Sequence, residues 1–585
     1  MTAYLLSLII FVPLFGALII LAIPSAAIRS IKYLAIAITF LQIILAGFIY
    51  SVYEKGPDAP AGVHIEAAYQ LQEKAPWINL DLGSLGTLSI EYFVAVDGIS
   101  ITMVLLAAIV MFIGAISSLQ IQVKVKGYFF LYLLLSGTVM GCFLALDFFL
   151  FYLFFEFMLL PMYFLIGLWG GPRREYASIK FFLYTLAGSI FILIAMISLY
   201  ISVIDPAATA VQAGLIDHVQ EATSENIIQL QQMMRENKID AGNMVHTFNM
   251  VSMADSANFI PGSLLDVLNQ KLIFGNAARL WVFLALFIGF AIKLPAVPLH
   301  TWLPDAHVEA PTPVSVVLAG ILLKIGAYGI IRTAFSIFPE GAVHYSWLIG
   351  FLGILSIIYG GFNALAMRDL KKLIAYSSVA HMGFVLLGLA SGTAEGISGA
   401  IYQMFSHGII ASMLFLIAGV LYERTHNRMI EDYSGLATKM PYFTIVVVIA
   451  FFASLGLPGF SGFIAEFLIF LGAFNAANVN QLLPRWMAIV ATLGLILGAA
   501  YYLWTLQRMF FGKYFGKDAA WDTLLRDLRP IEYVMFLPLI ILTLFLGLFP
   551  QFFLDLVNQS VGQLVTLINQ TGKENLELIL RHISL

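Results

Sequence analysis

Long apolar segments recur along nearly the whole chain, and they constrain its fold more than any other feature of the sequence. The first begins at Leu5, and further runs of about 20 apolar residues, the length that spans a bilayer, follow almost to the C-terminus. A soluble chain needs charged surfaces around its domains, but only 11% of the 585 residues are charged and 61% are hydrophobic. The sequence therefore predicts an all-α polytopic membrane protein.

Marking these segments predicts about fourteen transmembrane helices. They lie near residues 4–23, 31–52, 99–121, 128–146, 147–170, 177–204, 279–299, 313–337, 345–367, 371–390, 396–422, 441–474, 486–510 and 532–555. The segment 441–474 is too long for one straight span. The first segment lacks the positive region of a secretory signal, so it is interpreted as a retained helix.

Lys and Arg are concentrated in the loops that follow odd-numbered helices, and this distribution predicts the orientation. Short loops with an excess of positive charge stay in the cytoplasm. These loops contain Arg29, Lys32, Lys124, Lys126, Arg173, Arg174, Lys180, Arg368, Lys371, Lys372, Arg424, Arg428, Lys439, Arg508, Lys513, Lys517, Arg526 and Arg529. Both termini are therefore predicted to be extracytoplasmic, in a bacterial inner membrane.

Two polar segments on the extracytoplasmic side interrupt the series of helices. Within residues 53–96, the stretch 88–96 alternates weakly between apolar and polar residues, which predicts a short hairpin over the helices. Residues 205–278 are polar, with helical spacing at 227–234 and 264–272. This insert is interpreted as a tolerated surface insertion, with a docking surface or cap as the alternative.

Six ionisable residues lie in the middle of predicted membrane helices. A charge at the bilayer centre costs about 2.5 to 3.5 kcal/mol on insertion scales, so such residues point to function. The six are Glu156, Lys293, Lys324, His381, His407 and Glu466. Structural ion pairing is the alternative for the Glu and Lys residues, and a hydrogen-bonded core imidazole for the His residues. Burial disfavours the charged forms of Glu and Lys, and His titrates near neutral pH, so the set suits a proton relay.

Two of the predicted helices are interrupted beside these residues. The helix-breaking positions are Pro295, Pro298, Gly456, Pro458 and Gly459. The two prolines follow Lys293 in helix 7, and the second group precedes Glu466 in helix 12. Interrupted helices at corresponding points of two halves are typical of inverted-repeat transporters. The offset of five helices predicts two inverted five-helix repeats, helices 4–8 and helices 9–13.

This repeat assignment divides the chain into four predicted parts. Residues 1–127 hold helices 1–3, residues 128–337 the first repeat with the insert, residues 338–511 the second repeat, and residues 512–585 helix 14 and a C-terminal tail.

Other ionisable residues are interpreted as structural. Four of them crowd one predicted cytoplasmic connection: His300, Asp305, His307 and Glu309. Their spacing matches no metal site, and a solvated loop is the preferred interpretation. Asp147 and Glu175 are placed at membrane edges, where charge costs less. The single cysteine, Cys142, is interpreted as buried and structural, and no metal or cofactor site is predicted in this chain.

Several motifs closely resemble the antiporter-like subunits of respiratory complex I. The longest is FAIKLPAVPLHTWLPDAHVEAPTP at 290–313, continued by GILLKIGAYG at 320–329. Supporting stretches are FFEFM at 154–158 with Pro161, LIAYSSVAHMG at 373–383, and GLPGF at 456–460 followed by Glu466 and Phe467. The resemblance covers roughly helices 3 to 13.

Within this family, a glutamate on the broken helix 12 and an ending without a long lateral helix are similar to the M-type members. The resemblance implies a membrane-arm subunit that couples NADH oxidation and quinone reduction to proton pumping. It implies N- and L-type antiporter-like subunits as neighbours in the bilayer. It also places NADH, flavin, iron–sulfur clusters and quinone in partner subunits, with no redox centre in this chain.

The resemblance also implies roles for the six intramembrane residues. Glu156 and Lys293 would form the coupled pair of an input half-channel. Lys324 and the two His residues would form a central hydrated axis, with Glu466 as the outlet or hand-over group. A sodium/proton antiporter subunit of the Mrp type, a membrane-bound hydrogenase subunit and a structural scaffold remain alternatives. The insert 205–278 departs from the family, which usually joins these helices briefly.

Overall fold

The computed structural model describes residues 4–54, 69–81, 83, 86–268 and 271–583. Within these ranges, thirteen helices are long and apolar enough to cross a membrane. They match every predicted helix except helix 7, whose first part, Ala278–Lys293, has only 16 residues. The all-α polytopic fold is confirmed, whereas the inverted repeats and the four-part division stay predictions.

The transmembrane helices are numbered 1 to 14 in chain order. Their bounds are Leu5–Ala22, Ile28–Val52, Gly98–Ser117, Val125–Leu144, Phe148–Phe157 with Leu159–Trp169, Arg174–Tyr200, Ala278–Lys293 with Trp302–Glu309, Thr312–Val317 continuing to Phe335, Ser346–Ala366, Leu370–Ala390, Ala394–Thr425, Pro441–Ser454 with Ser461–Val479, Arg485–Ala491 with Leu493–Phe510, and Pro530–Leu548.

Helices 7 and 12 are broken where the sequence predicts. Helix 7 stops after Lys293, and helix 12 is interrupted between Ser454 and Ser461. Helix 8 is continuous but changes its hydrogen-bonding register at two π-helical segments, Leu318–Leu322 and Ile330–Phe335. Such segments are rare and frequently occur at functional sites.

One end of the helix bundle carries a small sheet and the folded insert. Strands Gln70–Asp81 and Thr87–Val96 form the predicted hairpin, and Val245–Thr247 of the insert adds a parallel third strand. The insert also contains helices Pro206–Gln212, Ser224–Arg235 and Met250–Ala254. Its own apolar cluster consists of Ile204, Ala210, Ile216, Leu230, Met234 and Ile239.

One of the two helices predicted in the insert forms and the other does not. The helix expected at 227–234 lies within Ser224–Arg235. The helix expected at 264–272 is wrong, because turns occupy 261–265 and a two-residue strand begins at Leu272. Pro261 and Gly262, with Gly262 at a φ of 73°, end regular structure there.

Beyond helix 14, the described chain is helical rather than an irregular tail. After helix 14 the chain runs through Gln551–Leu567, Ile568–Gly572 and Lys573–Ile583. Its buried residues recur at helical spacing, with Val557, Val561, Leu564 and Ile568 among them, which packs one face on the bundle. Gly98 lets it cross the start of helix 3, because a Cβ there would overlap the Leu556 carbonyl.

Shorter elements complete the described chain. They are helices Pro339–His344 and Trp521–Leu524, the strand pairs Leu272–Ile273 with Asn276–Ala277 and Tyr433–Ser434 with Phe515–Gly516, and 3-10 turns Ser118–Gln120, Val219–Glu221, Ala241–Asn243, Ser256–Asn258, Ile430–Asp432 and Leu436–Thr438.

Candidate functional site

Four of the six predicted intramembrane residues form one buried row. The Nζ atom of Lys324 lies 2.7 Å from Nδ1 of His407. The imidazole centroids of His407 and His381 are 5.2 Å apart, and Nδ1 of His381 is 3.7 Å from Oε1 of Glu466. None of the four is more than 6% exposed. The two predicted halves thus contribute unequally: helix 8 of the first half supplies one member, and helices 10, 11 and 12 of the second half supply three.

Local irregularities of the backbone position both ends of this row. Lys324 follows the first π-helical segment of helix 8 and donates to the carbonyl of Ala319 inside that segment, at 2.6 Å. Glu466 lies beside the break in helix 12, where Gly456 has a φ of 74°. A Cβ on Gly456 would overlap the Glu466 carboxylate, so glycine is needed there for conformation and for space.

The break in helix 7 places Lys293 in an apolar setting. Its side chain is 1% exposed, and Nζ lies 3.5 Å from the centre of the Phe155 ring, a cation–π contact. Among the described residues its ammonium has no hydrogen-bond partner. The indole of Trp302 donates to the Ile292 carbonyl at 2.8 Å, which satisfies a backbone acceptor next to the break.

Lys293 and Lys324 belong to neighbouring parts of the bundle. A Cβ on Gly326, two residues after Lys324, would lie 2.6 Å from the backbone nitrogen of Leu294. Helix 8 therefore packs directly on the backbone that follows Lys293. This close approach connects the helix 7 break to the buried row.

The expected Glu156–Lys293 pair is not a direct ion pair. No contact within 4.0 Å joins the two side chains in the described part of the chain. Glu156 is only partly buried, and its Oε1 has no hydrogen-bond partner among the described residues. The ring of Phe155, the residue before Glu156, contacts the Lys293 ammonium instead.

The solvated-loop interpretation of the connection after helix 7 is wrong. Exposure is 2% for His300, 0% for His307 and 7% for Glu309, and the His307 ring stacks on Phe415 at 4.3 Å. Among the described residues, no group of three His, Cys, Asp or Glu side chains is arranged to hold a metal ion. This connection is a packed part of the fold because apolar helices enclose it.

Asp147 is also more buried than its position at a membrane edge predicts. Its side chain is fully buried, and it accepts hydrogen bonds from the backbone nitrogens of Leu150 and Glu91 at 2.9 and 3.1 Å. Burial raises the pKa of Asp147 to about 7, although these backbone donors lower it. Cys142 is buried, as predicted.

Sequence reasoning missed the polar side chains around the histidines and three buried ion pairs. The polar side chains are Gln403, Ser454, Tyr502 and Ser377. The ion pairs are Arg279–Glu340, Arg332–Asp97 and Arg424–Glu532. A usable signal existed for two of the polar residues: Gln403 and Ser377 each lie four positions before a histidine, on the same helix face.

The chain matches a known protein family over most of its length. The family model described as "NADH:quinone oxidoreductase/Mrp antiporter, TM" matches residues 145–230 and 242–495. NADH-quinone oxidoreductase subunit M of Rhodobacter capsulatus is 38% identical over 565 residues, which covers 96% of both chains. The subunit of the same name from Rickettsia prowazekii is 38% identical and covers 96% of this chain and 98% of its own.

Solved structures show the same fold. A chain of respiratory complex I from Thermus thermophilus superposes with a TM-score of 0.71 at 30% identity, covering 96% of this chain and 99% of its own. A chain of the Mrp complex from a Dietzia species gives a TM-score of 0.70 at 21% identity, covering 99% of both. The second likeness shows the fold alone. The family match includes most of the insert, since only 231–241 falls between its two segments.

Proposed function

Because the chain belongs to the NADH:quinone oxidoreductase/Mrp antiporter family of transmembrane subunits, we propose that it is the M-type proton-translocating subunit of an NADH:quinone oxidoreductase. The complex oxidises NADH and reduces quinone, and this chain moves protons without a redox centre of its own. NADH, flavin, iron–sulfur clusters and quinone are bound by partner subunits.

The buried row from Lys324 to Glu466 is the observation that carries this proposal. A structural ion pair joins opposite charges, but here three nitrogen bases follow one another before a carboxylate appears. Like charges at these separations repel strongly inside a protein, so Lys324, His407 and His381 cannot all be protonated at once. A proton shared along such a row is a relay rather than a structural bond.

Lys293 is the proposed entry to this relay. Its ammonium is stabilised by the Phe155 ring and by the nearby carboxylate of Glu156. When the influence of that carboxylate weakens, the charged form of Lys293 loses its support and the proton passes to Lys324. Glu156 therefore acts as a switch on Lys293, and Glu466 as the group that hands the proton on.

The name and sequence of the similar proteins favour this assignment over the antiporter alternative. Relatives called subunit M reach 38% identity over 96% of the chain, whereas the Mrp chain of the same fold is 21% identical. By this proposal, N- and L-type antiporter-like subunits lie beside the chain in a bacterial inner membrane. The positive loops keep both termini on the extracytoplasmic side.

Replacement of Glu156 by Gln tests the proposed function. In membrane vesicles, Glu156→Gln is expected to abolish or severely reduce proton pumping per NADH oxidised, while the complex still assembles. Glu175→Gln, at an exposed glutamate on helix 6, is the matched control and should pump normally. Pumping at the wild-type level by an assembled Glu156→Gln complex contradicts the proposal. Co-purified small antiporter subunits in place of NADH-oxidising ones favour the alternative.

A further inference from the structure

A chain of hydroxyl groups reaches His381 from helices 12 and 13. The Nε2 atom of His381 is 3.2 Å from Oγ of Ser454, which donates to the Tyr502 hydroxyl at 2.7 Å. Tyr502 in turn donates to Oγ of Ser377 at 3.0 Å. The Ser377 hydroxyl ends the chain on the carbonyl of Ile374, at 2.8 Å. All four side chains are at least nine-tenths buried.

The carbonyl at the end of this chain fixes the direction of every hydrogen bond in it. A carbonyl oxygen only accepts, and each hydroxyl has a single hydrogen to donate. Since Ser377, Tyr502 and Ser454 have all donated, the Ser454 oxygen can only accept from the imidazole. Nε2 of His381 therefore carries a hydrogen, and Nδ1 is the nitrogen that takes up and releases a proton.

Two side chains meet at this reactive nitrogen. The amide nitrogen of Gln403 is 3.1 Å from Nδ1 of His381, and Oε1 of Glu466 is 3.7 Å away. Gln403 is 2% exposed, and its amide oxygen has no hydrogen-bond partner among the described residues. The amide nitrogen of Gln403 suits a neutral Nδ1, which accepts a hydrogen bond. If the amide turns over by 180°, its oxygen replaces the nitrogen and can accept from a protonated Nδ1.

We propose that Gln403 is a positioning residue that controls proton passage between His381 and Glu466. While His381 is neutral, the Gln403 N–H occupies the lone pair of Nδ1 and closes it. When a proton reaches Nδ1, the N–H of Gln403 faces another donor, so the amide turns over and its neutral oxygen faces Nδ1–H. The proton then passes to the stronger acceptor, the Glu466 carboxylate. The carboxylate takes this proton and Nδ1 regains its lone pair, while Nε2 keeps its hydrogen throughout.

The inference rests on the proposed function and extends it to a residue with no charge of its own. It predicts that proton passage depends on whether the side chain of residue 403 donates or accepts a hydrogen bond, and not only on the volume of that side chain. A carboxylate at this position accepts Nδ1–H and holds the proton on His381. An apolar side chain of equal size leaves Nδ1 open, so that protons return from Glu466 as readily as they arrive.

Gln403→Glu and Gln403→Met are compared in the whole complex reconstituted into proteoliposomes. The Glu variant is expected to lower turnover about tenfold, the effect of one charge-assisted hydrogen bond, and to enlarge the solvent deuterium isotope effect. The Met variant is expected to keep the rate of NADH oxidation and lose much of the steady-state pH gradient. Ser406→Ala is the control, because Ser406 lies on the same helix and bonds Ser461 instead.

The hydroxyl chain gives a second test that does not depend on residue 403. Ser454→Ala frees Nε2 from its acceptor and is expected to lower pumping, whereas Ser454→Thr keeps the hydroxyl and should restore it. Equal behaviour of Gln403→Glu and Gln403→Met, or wild-type gradients in the Met variant, overturns the inference. Lys324→Met separates the two claims, since normal pumping in that variant defeats the proposed function itself.

Discussion

The buried ion pair between Asp97 and Arg332 is predicted to make a large contribution to stability. Arg332 Nη2 lies 2.6 Å from Asp97 Oδ1, and their side chains are 5% and 4% exposed. Removing one partner of a buried pair leaves the other charge uncompensated, which costs about 3 to 5 kcal/mol. Asp97→Asn is expected to lower the free energy of unfolding by that amount, because Arg332 stays buried without a counter-charge.

Asp97 also caps helix 3, and asparagine retains this second role. Oδ1 of Asp97 accepts from the backbone nitrogen of Ser100 at 2.8 Å, and Oγ of Ser100 accepts from the backbone nitrogen of Asp97 at 2.9 Å. Asn and Asp are about equally good N-caps, whereas alanine loses about 1 kcal/mol. Asp97→Ala should therefore be about 1 kcal/mol less stable than Asp97→Asn, which separates the cap from the charge.

The assay is denaturant unfolding of the purified protein in one detergent, followed by tryptophan fluorescence. The double variant Asp97→Asn with Arg332→Met removes both charges, so it should be more stable than Asp97→Asn alone. Lys439→Met, in the exposed pair with Asp522, is the control and should stay near the wild type. Wild-type stability of Asp97→Asn, or a double variant less stable than that single variant, would refute the reasoning.

Two further predictions concern Asp147 and the break in helix 12. Because burial raises the pKa of Asp147 to about 7, its contribution to stability is present below about pH 4 and is lost as the pH rises to about 7. Asp147→Asn keeps the helix cap and should flatten the pH dependence of the melting temperature over this range; an unchanged slope contradicts this. Gly456→Ala should lower proton pumping because the added Cβ would overlap the Glu466 carboxylate. Gly459→Ala is the control, since Gly459 has a similar φ of 97° but open space around it, and it should pump more than Gly456→Ala. Equal losses of pumping in vesicles contradict the steric argument.

The sequence alone determined the helices, the positions of both breaks and the six candidate residues. Apolar length reports which segments cross the bilayer, and proline or glycine beside a charge reports where a helix is interrupted. These are properties of one segment and its solvent. They need no knowledge of which helices are neighbours. The fold confirms both breaks and every predicted helix except helix 7, whose first part is shorter than a full span.

The same local signals failed where a segment is neither fully apolar nor fully exposed. The C-terminal helix is too polar to be predicted as a membrane span. Its apolar face can be assigned a role only when the surface that it packs on is known. The sequence assigns His307 to a solvated loop and Asp147 to a membrane edge, yet both side chains are fully buried. Burial in such connections depends on the packing of distant parts of the chain.

Only the tertiary structure decided which candidate residues lie next to one another. The family resemblance implied that Glu156 and Lys293 form a pair, but the Lys293 ammonium lies on the ring of Phe155, the residue before Glu156 on helix 5. Neither the spacing nor the resemblance indicated that His381 contacts Glu466 directly, or that Gln403 lies beside the same nitrogen. The physical reason is that helical periodicity fixes the face of each residue, whereas the contacts between faces follow from the way that the helices pack.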